Sequence, residues 1–295
     1  MIAFTDIGQI DCTPEEYFKI KAVSNSDLGL LAESPRKYKD SQEGTYEREE
    51  TAPMAFGSAF DSMLLTPDDY ARDYAVIPES ITVPSTNLQI AYVRLLSEGV
   101  SEKEAARLAG YKKAPAKGSF QDLIDFEAES EKKLFISKYD EWTMSQMKAR
   151  VLNHKLMKVI LKEAEKQVVF TAKHEATGLK CKCMIDLLWE PGHLETVDLK
   201  TTSAKDAKEF RRSHFFKYGY DRQAAFYGSI AGAFTSSLMP VSRVSNWHQM
   251  APLEEYLEEG CEKASRLLDA MAWHWKNDEW DYSHDYYTGE GWEVL

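Results

Sequence analysis

Residues 167–202 read QVVFTAKHEATGLKCKCMIDLLWEPGHLETVDLKTT, three β-rich runs separated by turn signals at Ala176-Thr177-Gly178 and Pro191-Gly192. Helical periodicity dominates on both sides of this stretch. A strand meander set between helices restricts the chain to an α/β or α+β core, a central mixed sheet flanked by helices.

Alternation assigns the faces of the strands. In CKCMIDLLW, Cys181, Cys183, Ile185, Leu187 and Trp189 form one apolar set, while Lys180, Lys182, Met184, Asp186 and Leu188 form the other. In LETVDLKT, Val197 and Leu199 share one face and Thr196, Asp198 and Lys200 the opposite one. A four-residue loop at 190–193 would set Asp198 against Ile185 and bury an acid on the core face, which is costly. A three-residue loop, Pro191-Gly192-His193, pairs Val197 with Leu187 and Leu199 with Ile185, so the apolar faces coincide. Asp186 then lies across from Asp198, with Cβ atoms ~5 Å apart. Two carboxylates at that separation repel unless a cation sits between them, and hard oxygen ligands suit Mg²⁺ or Mn²⁺. Lys200, one pleat further along, reaches the same centre.

The flanking segments supply helices. SNSDLGLLAESPRKYKD (24–40) reads as a helix started by Ser24 or Ser26 and ended by Pro35. MAFGSAFDSMLLTPDDYARDY (54–74) reads as a second, on which Asp61 is the only charge between Met54 and Pro67. Residues 86–110 spell a helix, a turn at Gly99 and another helix capped by Ser101 with Glu104 three on, a pattern like a helix-turn-helix. The bland reading is a surface hairpin; the other is a DNA-contacting insert. A basic loop, YKKAPAKGS (111–119), follows. A long amphipathic helical segment is expected over 121–165. After the meander come helices over 206–218 and from Tyr220 to about Phe234, an outer strand in 241–249, and a closing helix over 253–277. The expectation is a single domain over 1–295, with a helical insert at about 86–119 and a core at about 140–240.

The composition, 43% hydrophobic with 12% aromatic residues, is that of a globular protein. The net charge of -12 weighs against nucleic acid as a partner, yet a local basic groove is compatible with it. Basic clusters interleaved with aromatics occur in SPRKYK (Arg36, Lys37, Lys39) and FRRSHFFKY (Arg211, Arg212, Lys217). The alternative for each is a solvated helix end. Cys12, Cys181, Cys183 and Cys261 fit neither a zinc ribbon nor a disulfide framework, and read as reduced thiols of a cytosolic protein. The N-terminus has no basic n-region or cleavage site, and no apolar run approaches the ~20 residues of a membrane span, so a soluble, cytoplasmic protein without a membrane partner is expected.

Three stretches together, GLKCKCMIDLLW with Asp186, TVDLKTT with Asp198 and Lys200, and YDRQAAFY with Gln223 and Tyr227, resemble the PD-(D/E)XK nuclease superfamily. More narrowly, the chain is similar to phage and prophage RecE-type (exodeoxyribonuclease VIII-like) enzymes, relatives of the RecB nuclease domain. GSAFDSMLLTP resembles that family's G-x-x-x-H helix, with Asp61 in the place of the histidine.

The resemblance implies that Asp186, Asp198, the Leu199 carbonyl and Asp61 hold one or two Mg²⁺ ions, with Mn²⁺ able to substitute. It implies catalytic roles for Lys200, which orients or deprotonates a water or stabilises developing charge, and strand-positioning roles for Gln223 and Tyr227. Glu165 is a candidate outer carboxylate or a solvated helix end. Arg36, Lys37, Arg211, Arg212 and Lys217 are expected to contact DNA, with Arg36 at a 5′-phosphate. The implied reaction is 5′-to-3′ hydrolysis of linear duplex DNA from its ends, in phage-type recombination, by a ring-shaped homo-oligomer that hands strands to an annealing protein. A PD-(D/E)XK endonuclease and a DNA-binding protein with a decayed nuclease site are the alternatives. Cysteine spacing disfavours an iron–sulfur nuclease.

Overall fold

Eight strands occur among the described residues of the computed structural model, which are 1–46, 51–130, 133–233 and 235–289. In chain order they are β1 (Phe4–Ile10), β2 (Tyr74–Val76), β3 (Leu134–Ile136), β4 (Glu165–His174), β5 (Lys180–Trp189), β6 (Glu195–Thr202), β7 (Thr235–Ser242) and β8 (Ala251–Pro252). The chain divides into two compact units, one of residues 1–58 with 147–295 and one of residues 59–146.

The first unit is built on a six-stranded mixed sheet of order β1-β4-β5-β6-β7-β8. The predicted meander is its centre: β4 and β5, and β5 and β6, are antiparallel neighbours. β6 and β7 run parallel along their whole length, joined by the helical segment 207–231. A parallel connection needs such a crossover, because a tight turn can only reverse the chain. Strand alternation puts Cys181, Cys183 and Ile185 of β5 into the main core, against Leu28 and Leu31 of the helix Asn25–Glu33, Phe226 and Ile230 of the helix Tyr220–Ala231, and Leu268 and Met271 of the helix Glu254–Asn277. All four cysteines are free thiols.

Several boundaries differ from expectation. The helix begun at Ser24 ends before Pro35 as expected, but Pro35 also opens a second helix, Pro35–Gln42, at the first-turn position where its missing N–H costs nothing. The helix before it has a capping box between Ser24 and Asp27. The segment 121–165 is broken into helices Gln121–Glu129, Lys138–Asn153 and Lys155–Glu163 with β3 between the first two, and Glu165 begins β4. Of the outer strand expected in 241–249, only the first two residues are strand, the end of β7, with one bridge from Val241 to His248; the edge strand is β8. β7 is buried along nearly all its length, so it shows no alternation to read. The helix from Tyr220 ends at Ala231, capped by Gly232, and Phe234 lies outside the described residues.

The second unit pairs β2 with β3 in parallel and carries the expected hairpin, helices Asn87–Ser97 and Glu102–Ala109. Thr86 and Gln89 form a capping box at its start. Ser101 occupies the cap of its second helix without making the expected side-chain bond.

Candidate active site

The β5–β6 ladder joins Leu187 to Val197, Leu188 to Thr196 and Trp189 to Glu195. This is the register in which the apolar faces coincide. The described ladder ends there, and a side chain takes over: Asp186 Oδ2 accepts the Leu199 backbone N–H at 2.8 Å. Asp186 and Asp198 are thus neighbours across the strands, although the pairing expected at this level is made by a carboxylate rather than by the ladder. The alternation of β6 buries Val197 and Leu199 and leaves Asp198 and Lys200 half-buried on the opposite face.

Around Asp198 the partners are all predicted ones. Its Oδ1 accepts from Gln223 Nε2 at 2.6 Å, and its Oδ2 forms an ion pair with Lys200. Gln223 and Tyr227 stand one turn apart on the helix Tyr220–Ala231 and so share its face. A small cavity beside the sheet is lined by Asp186, Asp198, Gln223 and Tyr227 together with Tyr220 and Ile185. Sequence spacing does not single out Tyr220; its ring lies 5.6 Å from the Lys200 ammonium, although it opens the very stretch, YDRQAAFY, that supplies Gln223.

The electrostatics follow from this crowding. Burial, and then the negative Asp198, push the Asp186 carboxyl up to about 7, against the opposing pull of Lys200 and the Leu199 amide. Burial works against the charge of Lys200, but Asp198 and Asp186 outweigh it and hold the ammonium above its ordinary value. Burial raises the Tyr220 hydroxyl to about 12 and the Tyr227 hydroxyl well above its usual range, so both stay protonated donors. Among the described residues no group of three or more His, Cys, Asp or Glu side chains is placed to hold a metal. Within the first unit the donors at this point are the two carboxylates, Asp186 and Asp198. That suits a hard divalent cation such as Mg²⁺, which binds through one or two carboxylates and fills its other positions with water and phosphate oxygens. A shared cation would also relieve the repulsion that keeps a proton on Asp186.

The remaining expected residues lie on other elements. Asp61 is half-buried on the helix Ala52–Leu65, in the second unit. Gly57 of the same helix belongs to the first unit, where a Cβ would come within 3.3 Å of Thr201 Oγ1 in β6. Glu165 is exposed and accepts from Gln9 Nε2 at 3.2 Å, which makes it the start of a strand instead of a helix end. Arg36 pairs with Asp40 at 3.0 Å and Asp281 at 3.8 Å, and Lys37 pairs with Glu33. Arg211 and Arg212 lie in a π-helical turn, Arg211–Phe215, that the sequence pattern does not foretell. The Arg211 guanidinium sits 5.5 Å from the Tyr256 ring and the Lys217 ammonium 5.3 Å from Tyr218.

Asp221 is a further residue that spacing does not reveal. It is fully buried and accepts from Lys263 at 2.6 Å, with its other oxygen unpartnered among the described residues. The contact pins the helix that carries Gln223 to the helix Glu254–Asn277. The two helices approach so closely that a Cβ on Gly260 would meet the Asp221 carbonyl oxygen at 2.3 Å.

A six-stranded mixed sheet with an aspartate pair and a lysine on neighbouring central strands defines a PD-(D/E)XK-type nuclease fold. The chain belongs to the family described as PDDEXK-like domain of unknown function (DUF3799), whose model matches residues 24–283. Among solved structures it is similar to the crystal structure of a protein from Eubacterium rectale described as "Putative exonuclease", with 18% identity, 97% of this chain and 95% of that one covered, and a TM-score of 0.53. A crystal structure of SSO0001, 12% identical over 82% of this chain and 84% of that one, has a TM-score of 0.28, too distant to bear on the fold. No curated protein matches significantly. No described helix is long and apolar enough to cross a membrane.

Proposed function

We propose that this protein is a divalent-metal-dependent deoxyribonuclease that hydrolyses linear duplex DNA from its ends, 5′ to 3′, in phage-type recombination. The observation that carries the reading is the convergence of Asp186, Asp198 and Lys200, from two adjacent strands, on one half-buried point. Membership in a PDDEXK-like family supports it.

Asp186 and Asp198, with the Leu199 carbonyl, would hold Mg²⁺ or Mn²⁺. When bound, the ion acidifies a water and draws charge from the phosphoryl oxygen. The chain's own residues do the rest. The Leu199 amide fixes Asp186. Gln223 holds Asp198 in one rotamer, so the carboxylate presents the same face throughout the reaction. Lys200, an ammonium beside Asp198, donates to the oxygens on which negative charge develops at phosphorus. Tyr227 and Tyr220, both protonated, line the cavity and offer hydroxyls to the scissile strand. Arg211, Arg212 and Lys217 follow in sequence on the crossover and supply cations for the backbone. A ring-shaped homo-oligomer and an annealing protein as recipient of the single strand belong to the same proposal.

Linear and covalently closed circular duplexes, each incubated with Mg²⁺, test it. Degradation of the linear form alone supports an exonuclease; cutting of the circle would replace it with an endonuclease.

A further inference from the structure

The helical hairpin of the second unit has no part in the chemistry proposed above. Its two helices, Asn87–Ser97 and Glu102–Ala109, are joined by a short turn in which Gly99 takes φ +83°, a conformation that favours glycine. They enclose a small core of Tyr92, Ala105 and Ala106, against which Leu95, Val100 and Tyr111 pack. Tyr111 closes the end of the second helix: its N–H bonds the Ala106 carbonyl at 2.9 Å and its ring meets Tyr92 edge-on at 5.6 Å. The loop beyond is drawn back to the start of that helix, since Glu102 Oε1 accepts the Gly118 N–H at 2.8 Å. The second helix and the basic loop thus form one continuous outer surface.

Charge on this surface is unlike the rest of the chain. Residues 86–119 hold six cations (Arg94, Lys103, Arg107, Lys112, Lys113, Lys117) and three acids (Glu98, Glu102, Glu104), so the segment is +3 while the remainder, -12 less +3, is -15. The acids are engaged: Glu98 pairs with Arg94, Glu104 with Arg107, and Glu102 caps Gly118. Lys103, Lys112, Lys113 and Lys117 are exposed and, among the described residues, make no ion pair. A polyanion repelled by the bulk of the protein meets attraction here.

We infer that this hairpin and its lysine loop form a second DNA site, a helix-turn-helix that grips the phosphate backbone of duplex DNA independently of the nuclease centre. Duplex is favoured over single strand because a single strand is held by exposed aromatic rings. Here Tyr92 is buried and Tyr111 and Phe120 are turned into the small core. The second helix offers its outward Lys103 and Arg107 instead, as a groove-facing helix does.

The test is binding of a short blunt duplex to the full chain by fluorescence anisotropy in EDTA, where no hydrolysis occurs, across a salt series. The triple variant Lys112→Gln, Lys113→Gln, Lys117→Gln alters only exposed side chains, and its melting curve should match the wild type. Its affinity is expected to fall at least ~10-fold at about 0.1 M salt, and the slope of log K against log salt to shrink by ~2.7, about 0.9 for each lost phosphate contact. Lys103→Gln added to it should remove about one contact more. Single-strand affinity should move less than ~2-fold. Unchanged duplex affinity and slope would overturn the assignment. So would an equal loss on single strands, or unchanged DNA binding with altered self-association by sedimentation, which would give the surface to a protein partner. Because nothing is cleaved, the result stands apart from the nuclease proposal.

Discussion

Asp186 Oδ2 and the Leu199 backbone N–H, 2.8 Å apart, tie the side chain of one strand to the main chain of the next. The bond sets where both aspartates stand, because Leu199 lies between Asp198 and Lys200 on β6. It does not keep Asp186 ionised: the carboxyl is largely desolvated next to a second acid, and one amide with one ammonium does not offset that.

Stability should report the Asp186 proton. In the folded protein the Asp186 pKa is raised from an ordinary 3.8 to about 7. The folded state thus binds the proton more tightly than the unfolded one, and its stabilising contribution is lost as pH rises from about 4 through about 7. Asp186→Asn keeps the shape and removes the charge. Thermal melting in EDTA should show the variant above the wild type at pH 8, by roughly 2–4 °C per kcal/mol gained, with the gap closing towards pH 5. A gain independent of pH would contradict a buried, acid-flanked carboxyl as its origin.

Metal affinity should carry the same signature. A cation bound by Asp186 and Asp198 must displace the Asp186 proton, so Mn²⁺ affinity should rise with pH up to about 7 and level off above it. Calorimetry in buffers of different ionisation enthalpy should detect close to one proton released at pH 6. The Asn variant should show neither effect.

Gln223 supports Asp198 through a bond of 2.6 Å to a charged acceptor. Gln223→Ala should lower kcat ~10–100-fold, the equivalent of the roughly 1.5–3 kcal/mol such bonds contribute. DNA affinity should change little. Gln223→Glu should be worse, since it sets a third carboxylate against the pair.

Lys200→Met should cost ~10²–10³ in kcat while leaving duplex binding intact, as expected when a donor aimed at developing charge is removed. It should also raise the Asp186 pKa further, because the ammonium is the main influence lowering it. Retention of full activity would assign charge stabilisation to another group.

Gly260→Ala tests the scaffold. With the Asp221 carbonyl oxygen 2.3 Å from the added methyl, the helices must separate, and a loss of ~1–3 kcal/mol is expected by denaturant titration. Activity should fall alongside, since the displaced helix carries Gln223.

The meander and its register are legible in the sequence because turn chemistry and alternation agree there: buried Cys183, Ile185, Val197 and Leu199 leave Asp186, Asp198 and Lys200 only one face. β7 is not legible. TSSLMPVS is buried on both faces, contains a proline, and pairs with a strand distant in sequence, so no local pattern announces it. β1, FTDIGQI, is interrupted by a register shift between Thr5 and Gly8, with Asp6 at φ +50°, which hides its period. At the site, Gln223 and Tyr227 are visible through their spacing of four. The contribution of Tyr220 and the Asp221–Lys263 clamp depends on how helices distant in sequence meet, and single-chain periodicity does not encode that.

The most direct measurement is release of label from an end-labelled linear duplex by the wild-type chain and by Asp198→Ala, each with Mg²⁺ and with EDTA. Label should be released by the wild type with Mg²⁺ only, and by neither protein in EDTA, with at most a trace from the variant. Equal release by both proteins would place the chemistry away from Asp198, and no release by a folded, DNA-bound wild type with Mg²⁺ or Mn²⁺ would contradict the nuclease assignment.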